Sequence, residues 1–310
     1  MATVIGIDEA GYGPSLGPLV VSSAAFRADD DGAGLWRELG RAVARRPGGT
    51  RGRLLVADSK IVYAQRDGLE QLERTVLTFL GCAGPRPAGL RALIDALCDR
   101  PDEARNVAWW DDVALPAATS PEVLDTSAEL LDGAGGPGRF LGLASQILPA
   151  GAFNRGIDRY GNKAVLLFQQ NMALIRRALR RHDGDLTFVI DKHGGRHYYE
   201  QLLANNFFGR PLHELRASPK RSSYRVDLPE RRVWFHFIAK ADATRFPPAL
   251  ASITSKYVRE LFMMCFNAHW CGRVRDLKPT AGYAADGKRF IADILPFLSD
   301  GEARDVIRRR

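Results

Sequence analysis

Four acids stand where apolar strands should end. Asp8 and Glu9 follow an apolar run over 3–7 and precede the turn Ala10-Gly11-Tyr12-Gly13-Pro14. Asp191 directly follows Phe188-Val189-Ile190, and Asp242 follows a strand candidate over 233–238 by way of Ala239-Lys240-Ala241. Three strands ending in acids would bring four carboxylates to one edge of a sheet. Hard divalent cations such as Mg2+ or Mn2+ take oxygen ligands of this kind. Two such ions about 4 Å apart can activate a water and stabilise the leaving oxygen of a phosphodiester. The pattern therefore points to metal-dependent phosphodiester hydrolysis, although each acid alone also reads as an ordinary polar strand terminus. Adjacent carboxylates repel and lose solvation when buried, so cations should stand nearby. Side chains alternate along a strand, so Asp8 and Glu9 act together only if the chain leaves the strand at the glycine turn.

The elements that must position these acids are mixed, which argues for an α/β or α+β class. Residues 1–26 read as a β-hairpin opening a sheet. Apolar Leu69, Leu72, Val76 and Leu80 predict a helix over 65–80, and Val165, Phe168, Met172, Ile175 and Leu179 predict another over 165–179. Pro247 and Pro248 suit the first turn of a helix running to about Asn267, and 282–295 reads as a turn and a last helix. The segment 32–52 reads as a helix with a mobile loop. The segment 83–150 carries an acidic cluster and the loop-like run 133–138, and it reads as an inserted lobe. The segment 205–232 is basic and reads as a second insertion in one catalytic domain, 1–310.

The chain has 310 residues with 45% hydrophobic and 26% charged, which excludes a fibrous or wholly disordered protein. No apolar run reaches the roughly 18 residues that span a bilayer, so no membrane is expected as a partner. Residues 1–30 hold Asp8 and Glu9 where a secretory signal needs its apolar stretch. Cys82, Cys98, Cys265 and Cys271 form no zinc spacing and read as reduced, buried thiols, so a cytoplasmic location is expected. His193, His197 and His236 bring no zinc set with them and read as structural or exposed. Net charge is +8, yet 95–132 holds ten acids against Arg100 and Arg105, so that segment is −8 and the remainder +16. A basic body with an acidic appendage suits a nucleic-acid binder. The acidic part could hold a protein partner or only shield a surface. Trp109 and Trp110 within it read as lobe core, since acids beside them would repel phosphates.

Asp8-Glu9-Ala10-Gly11-Tyr12-Gly13-Pro14, continuing as Leu16-Gly17-Pro18-Leu19-Val20-Val21, strongly resembles the N-terminal signature of ribonuclease HII, the type 2 ribonuclease H family. Ala57-Asp58-Ser59-Lys60 resembles its Asp-Ser-Lys segment, and Asn162 the Asn that opens its central helix. Val189-Ile190-Asp191 and Lys240-Ala241-Asp242 resemble the segments of its third and fourth acids. Ala251-Ser252-Ile253-Thr254-Ser255-Lys256 with Arg259-Glu260 resembles its Ala-Ser-Ile helix, and Gly282-Tyr283 its late Gly-Tyr. These segments occur in the family's order from residue 3 to about 295. The resemblance implies an RNase H-like fold, a central mixed β-sheet flanked by helices, with inserted segments. It implies an endonuclease that cuts the RNA strand of RNA–DNA hybrids, or ribonucleotides embedded in duplex DNA, leaving 3′-hydroxyl and 5′-phosphate ends. Asp8, Glu9, Asp191 and Asp242 would be the catalytic and metal-binding residues, for two Mg2+ or Mn2+ ions. Gly11, Tyr12, Gly13, Lys60 and Tyr283 would meet the substrate, the glycine turn reaching the ribose 2′-hydroxyl and Lys60 the scissile phosphate.

The sequence departs from that family at three places, the mildest being Glu260, which stands for an Asp and is an acid either way. Tyr12 stands where the family has Arg between its glycines, which removes a cation near phosphate. Lys192-His193 stands where the family has Gly-Asn, and Lys192 is expected to put a cation beside the metals. An RNase H-like nuclease with a different nucleic-acid substrate, or a non-catalytic nucleic-acid binding protein, are the rival expectations.

Overall fold

The computed structural model describes residues 1–48, 52–194 and 196–309. The rest of the expected 32–52 loop, and Gly195 of the glycine pair after Asp191, lie outside the described residues. The chain opens with β1 (Ala2–Ala10) and β2 (Leu19–Ala28), the expected hairpin. There follow α1 (Leu35–Glu38), a small parallel pair β3 (Val43–Ala44) and β4 (Leu54–Leu55), α2 (Ser59–Tyr63) and α3 (Gly68–Gly81). Helices α4 (Leu90–Leu97), α5 (Pro101–Arg105), α6 (Pro121–Gly133) and α7 (Gly136–Arg139) lead to β5 (Phe140–Leu148), α8 (Ala150–Tyr160), α9 (Lys163–Arg181) and β6 (Leu186–Asp191). Then come α10 (Glu200–Asn206), β7 (Leu212–Ala217), β8 (Arg221–Leu228), β9 (Arg231–Ile238), α11 (Ala241–Thr244), α12 (Phe246–Cys271), α13 (Ala284–Ile294) and α14 (Asp300–Val306).

Seven strands form one mixed sheet in the order β5-β2-β1-β6-β9-β8-β7. The first three make an antiparallel meander, β6 and β9 lie parallel to β1, and β8 and β7 extend the far side antiparallel. Register fixes the acids. Ile7 pairs with Ile190, so Asp8 and Asp191 are the next residues on neighbouring strands. Asp191 in turn pairs with Ile238, four residues before Asp242.

Both faces of the sheet are covered, as the near-continuous apolar β1 and β6 require. On one face Val4, Val20 and Phe26 pack under α12 and α3; on the other Ile5, Ile7 and Phe188 pack under α9 and α8. Phe26 lies within 5.3–6.0 Å, ring to ring, of Phe79, Phe140 and Phe246, which knits β2, α3, β5 and α12 together. Helix α12 is buried almost all round, so it is an internal helix and not a surface one. Its first turn carries Pro247 and Pro248 and rests on Gly6 of β1; a Cβ there would stand 2.0 Å from the Pro248 nitrogen. Glu73 of α3 is fully buried, yet its carboxylate accepts the N–H groups of Ala117, Ala118 and Thr119 and the hydroxyl of Tyr257 on α12 at 2.6–2.8 Å. That satisfies a group whose burial would otherwise be costly.

Both expected insertions contribute strands to the main sheet. The segment 83–150 is not a separate lobe, because its last part is β5, a strand of that sheet. The Gly-rich run before that strand and the acids around it mask its apolar pattern. Much of the acid is also paired within the chain: Asp99 with Arg177 and Arg180 at 3.1 and 3.0 Å, Asp125 with Arg86 at 2.6 Å, and Asp95 with Arg105. Trp109 packs edge-on against Phe262 and Phe266 of α12 and is core, as expected. The basic 205–232 segment forms the hairpin β7–β8, whose side chains alternate outward arginines with a buried Ser222, Tyr224 and Val226. Nor does the chain leave the strand after Asp8: β1 continues through Ala10, with Glu9 paired to Val21.

Candidate metal centre and substrate turn

Because β1 runs on, Asp8 and Glu9 project to opposite faces of the sheet edge. Asp8 lies on the α12 face. The Ser252 hydroxyl hydrogen-bonds its carboxylate and Ser255 Oγ donates to its backbone carbonyl at 3.0 Å. These two serines are one helical turn apart on α12 and so share a face. Ser252 Oγ and Ser59 Oγ are hydrogen-bonded at 2.9 Å, which ties the Asp58-Ser59-Lys60 turn to the same spot. Asp58 caps α2, accepting the Lys60 N–H at 2.8 Å, and this places the Lys60 side chain beside Glu9 and Asp242. Asp191 accepts the Ala241 N–H at 2.7 Å. Its carboxylate thereby fastens the end of β6 to the start of α11, where Asp242 sits. Lys240 takes the left-handed conformation (φ 56°) at that joint.

The four carboxylates therefore stand within electrostatic reach of one another. Burial first, then Glu9, Asp191 and Asp242, raise the Asp8 carboxyl well above its ordinary range. Burial and then Asp191 and Asp242 push Glu9 up to about 8, against the pull of Lys60. Burial lifts Asp191 to about 6, with Asp242 adding to the rise and the Ala241 N–H opposing it. Asp242 is raised by burial and by Asp58. Among the described residues no group of three or more His, Cys, Asp or Glu side chains closes to ion-holding geometry, so the set is open. Its chemistry still fits a hard divalent cation: the donors are all carboxylate oxygens, they crowd one buried edge, and their mutual repulsion is what a cation relieves.

The glycine turn abuts this set. Gly11 has φ +83°, and a Cβ there would meet the Pro18 carbonyl at 2.4 Å, so only glycine fits. Gly13 is exposed with open space around it. The Tyr12 ring lies near Glu9, whose charge adds to the rise that burial gives its hydroxyl pKa. Lys163 Nζ sits 4.7 Å from the centre of that ring. Gly282 accepts the Ser15 N–H at 3.0 Å, and Tyr283 follows it, 40% exposed, with the Arg259 guanidinium 4.9 Å from its ring centre. Fully buried Arg259 also donates to the carbonyls of Leu16 and Ala281 at 3.3 and 2.9 Å, locking the turn to the 281–283 segment.

Lys192 does not join the site. Its ammonium donates to the Ser218 carbonyl at 2.7 Å and to Ser222 Oγ at 3.0 Å, toward the β7–β8 hairpin, and burial lowers its pKa. Its place one residue beyond Asp191 on the chain sends it to the other side. His193 is buried at 2.7 Å from Asn171 and held neutral, its pKa lowered to about 3 by burial. His236 is likewise lowered, to about 4, by burial and then by Arg221. The sequence reading quoted Asp58, Ser252 and Ser255 within its motifs without giving them a role, and it missed Arg308, which donates to the Gly11 and Tyr12 carbonyls. The three-residue spacing of the two serines was a usable signal; Arg308 arrives from far along the chain with no local sign.

No family model matches the chain, and no curated protein matches it. Among solved structures it is similar to Bst-RNase HIII in complex with Mn2+, at 16% identity and TM-score 0.48 over 99% of this chain and 66% of that one. It is similar to a chain of the PCNA:RNase HII complex from Archaeoglobus fulgidus, at 14% identity and TM-score 0.44 over 100% and 94%. It is also similar to ribonuclease H2 from Pyrococcus horikoshii OT3, at 16% identity and TM-score 0.45 over 93% and 83%. The chain thus spans just under two thirds of the Bst-RNase HIII chain. The observed fold is the α/β class expected from the sequence, a central mixed sheet with helices on both faces. No helix among the described residues is long and apolar enough to cross a membrane.

Proposed function

We propose that the chain is a metal-dependent endoribonuclease of the type 2 ribonuclease H kind. It would cut the RNA strand of RNA–DNA hybrids, or ribonucleotides embedded in duplex DNA, leaving 3′-hydroxyl and 5′-phosphate ends. The observation that carries this reading is the meeting of Asp8, Glu9, Asp191 and Asp242 at one sheet edge, opposed by Lys60, in a chain of net charge +8. These four carboxylates would hold the metal, Mg2+ or Mn2+. When bound, such ions supply an activated water and stabilisation of the leaving oxygen.

The protein's own groups do the rest by position and charge. Lys60 offers an ammonium to the non-bridging oxygens of the scissile phosphate, where charge accumulates. Asp191 keeps Asp242 in place through the Ala241 N–H. The turn Gly11–Gly13 approaches the sugar through backbone atoms, which suits reading of a 2′-hydroxyl. Tyr283 lies beside that turn, its ring held by Arg259, and offers a face for the adjoining sugar or base. The basic surface supplies sequence-independent contacts to the duplex backbone.

The decisive assay incubates purified protein with Mg2+ or Mn2+ and three duplexes: all-DNA, RNA–DNA hybrid, and DNA carrying one ribonucleotide. Nicking at the ribonucleotide, absent in Asp8→Asn, is the expected outcome. An inert wild-type protein overturns the proposal. Tyr12 in place of Arg favours one rival, a nuclease of altered substrate, and equal cutting of all three duplexes would establish that rival instead.

A further inference from the structure

Arg308 is 3% exposed and meets no carboxylate among the described residues. Burying a guanidinium without a counter-ion is costly, so its contacts need a reason. Its Nη1 donates to the Gly11 carbonyl and its Nη2 to the Tyr12 carbonyl at 3.3 Å, while the guanidinium stacks 3.8 Å from the Phe153 ring centre. The segment that carries it is pinned on both sides. Arg308 N donates to the Ser15 carbonyl at 2.9 Å, Arg309 N to Asn154 Oδ1 at 2.8 Å, and Ile307 bridges to Leu16. Asn154 in turn donates to the carbonyls of Arg304 and Ile307 at 2.7 and 2.8 Å.

A trans peptide unit is planar, with its C=O and N–H pointing in opposite directions. Drawing the Gly11 carbonyl toward Arg308 therefore turns the Tyr12 N–H away from it. Drawing in the Tyr12 carbonyl does the same to the Gly13 N–H. Neither N–H hydrogen-bonds anything among the described residues. Two successive free N–H groups after a left-handed glycine make a concavity for an oxygen acceptor, and this one lies next to Glu9.

We propose that Arg308 is the positioning residue of this turn: it aims the Tyr12 and Gly13 amides at an acceptor oxygen of the bound strand, the ribose 2′-hydroxyl being the acceptor that DNA lacks. The inference rests on the nuclease reading above and adds how this chain, with Tyr12 in its turn, keeps that contact. Its strength comes from a fixed guanidinium that the turn itself does not carry.

The test measures binding in EDTA by fluorescence anisotropy, with labelled duplexes that differ only in one ribonucleotide. The wild-type protein should prefer the ribonucleotide duplex. Arg308→Met should cut that preference about tenfold, the weight of roughly one hydrogen bond to a charged or oriented donor, with all-DNA affinity unchanged. Arg308→Lys retains the charge but not both bonds and should fall between. With Mg2+, kcat/KM for the ribonucleotide duplex should fall in the same order, from wild type through Arg308→Lys to Arg308→Met. An unchanged preference in Arg308→Met, or a fall in both affinities together, overturns this inference and leaves the nuclease reading standing. A wild-type protein that neither prefers nor nicks the ribonucleotide duplex overturns both. If Arg308→Met does not fold, Arg308→Lys decides by the same ratio.

Discussion

Glu9→Gln should stabilise the metal-free protein while abolishing its activity. Burial and the neighbouring acids hold the Glu9 carboxyl at about 8 in the fold, against an ordinary 4.5. A carboxyl raised in this way adds stability that is complete below pH 4.5 and is lost as pH rises toward 8. In the unfolded chain the group ionises first and favours unfolding. Each pH unit between those limits costs about 1.4 kcal/mol, so at pH 7 the penalty is at most about 3.5 kcal/mol. Sharing of protons among the four acids spreads this penalty over the set, so about 1–2 kcal/mol is expected from Glu9 alone. Gln keeps the shape and never ionises, so the variant escapes the penalty. Differential scanning calorimetry in EDTA should then show Tm above wild type by about 2–6 °C at pH 8. The gap should close by pH 4.5. Added Mn2+ should raise the wild-type Tm and move the variant less, since binding to the native state alone stabilises it. A Glu9→Gln protein no more stable than wild type at pH 8, or one whose advantage ignores pH, would refute the account of a crowded anionic edge.

Two further outcomes follow from the packing and from the opposing Lys60. Gly6→Ala should destabilise the fold by roughly 3 kcal/mol or more, because its Cβ would strike backbone atoms of Pro247 and Pro248 that no side-chain motion can clear; urea unfolding at pH 7 measures it. Lys60→Ala should leave stability within about 0.5 kcal/mol, since the side chain is exposed, yet lower kcat/KM for a ribonucleotide duplex by about tenfold to a hundredfold; equal kcat/KM removes Lys60 from the site.

Much of this arrangement was legible in the sequence for a simple reason: each acid sits at or shortly after the end of an apolar run, and apolar runs are what burial selects. The hairpin β1–β2, the long helices α9 and α12 and the strands β6 and β9 all fall where periodicity and Pro placement put them. The rest was hidden by features that act at long range. Strand β5 follows a glycine-rich stretch inside an acidic segment, so local composition spoke for a loop. The strand β8 carries arginines on its open face, which read as a charge run. Lys192 has the right neighbour in sequence but the wrong direction, because one step along an extended chain reverses the side chain. Arg308 reaches the turn from nearly 300 residues away, and nothing in its own neighbourhood of arginines marks it.

The Glu73 carboxylate carries a consequence for anyone wishing to trim this protein. Excising the helices between α3 and β5 would look harmless on a diagram of the sheet, since none of them supplies one of the four clustered acids. It would strip three amide partners from a carboxylate that sits in the interior against Tyr257. The remnant would be left with a desolvated anion on the underside of the helix that carries Ser252 and Ser255. A trimmed protein would therefore need Glu73 replaced by an apolar residue, and Tyr257 by Phe, in the same step as the deletion.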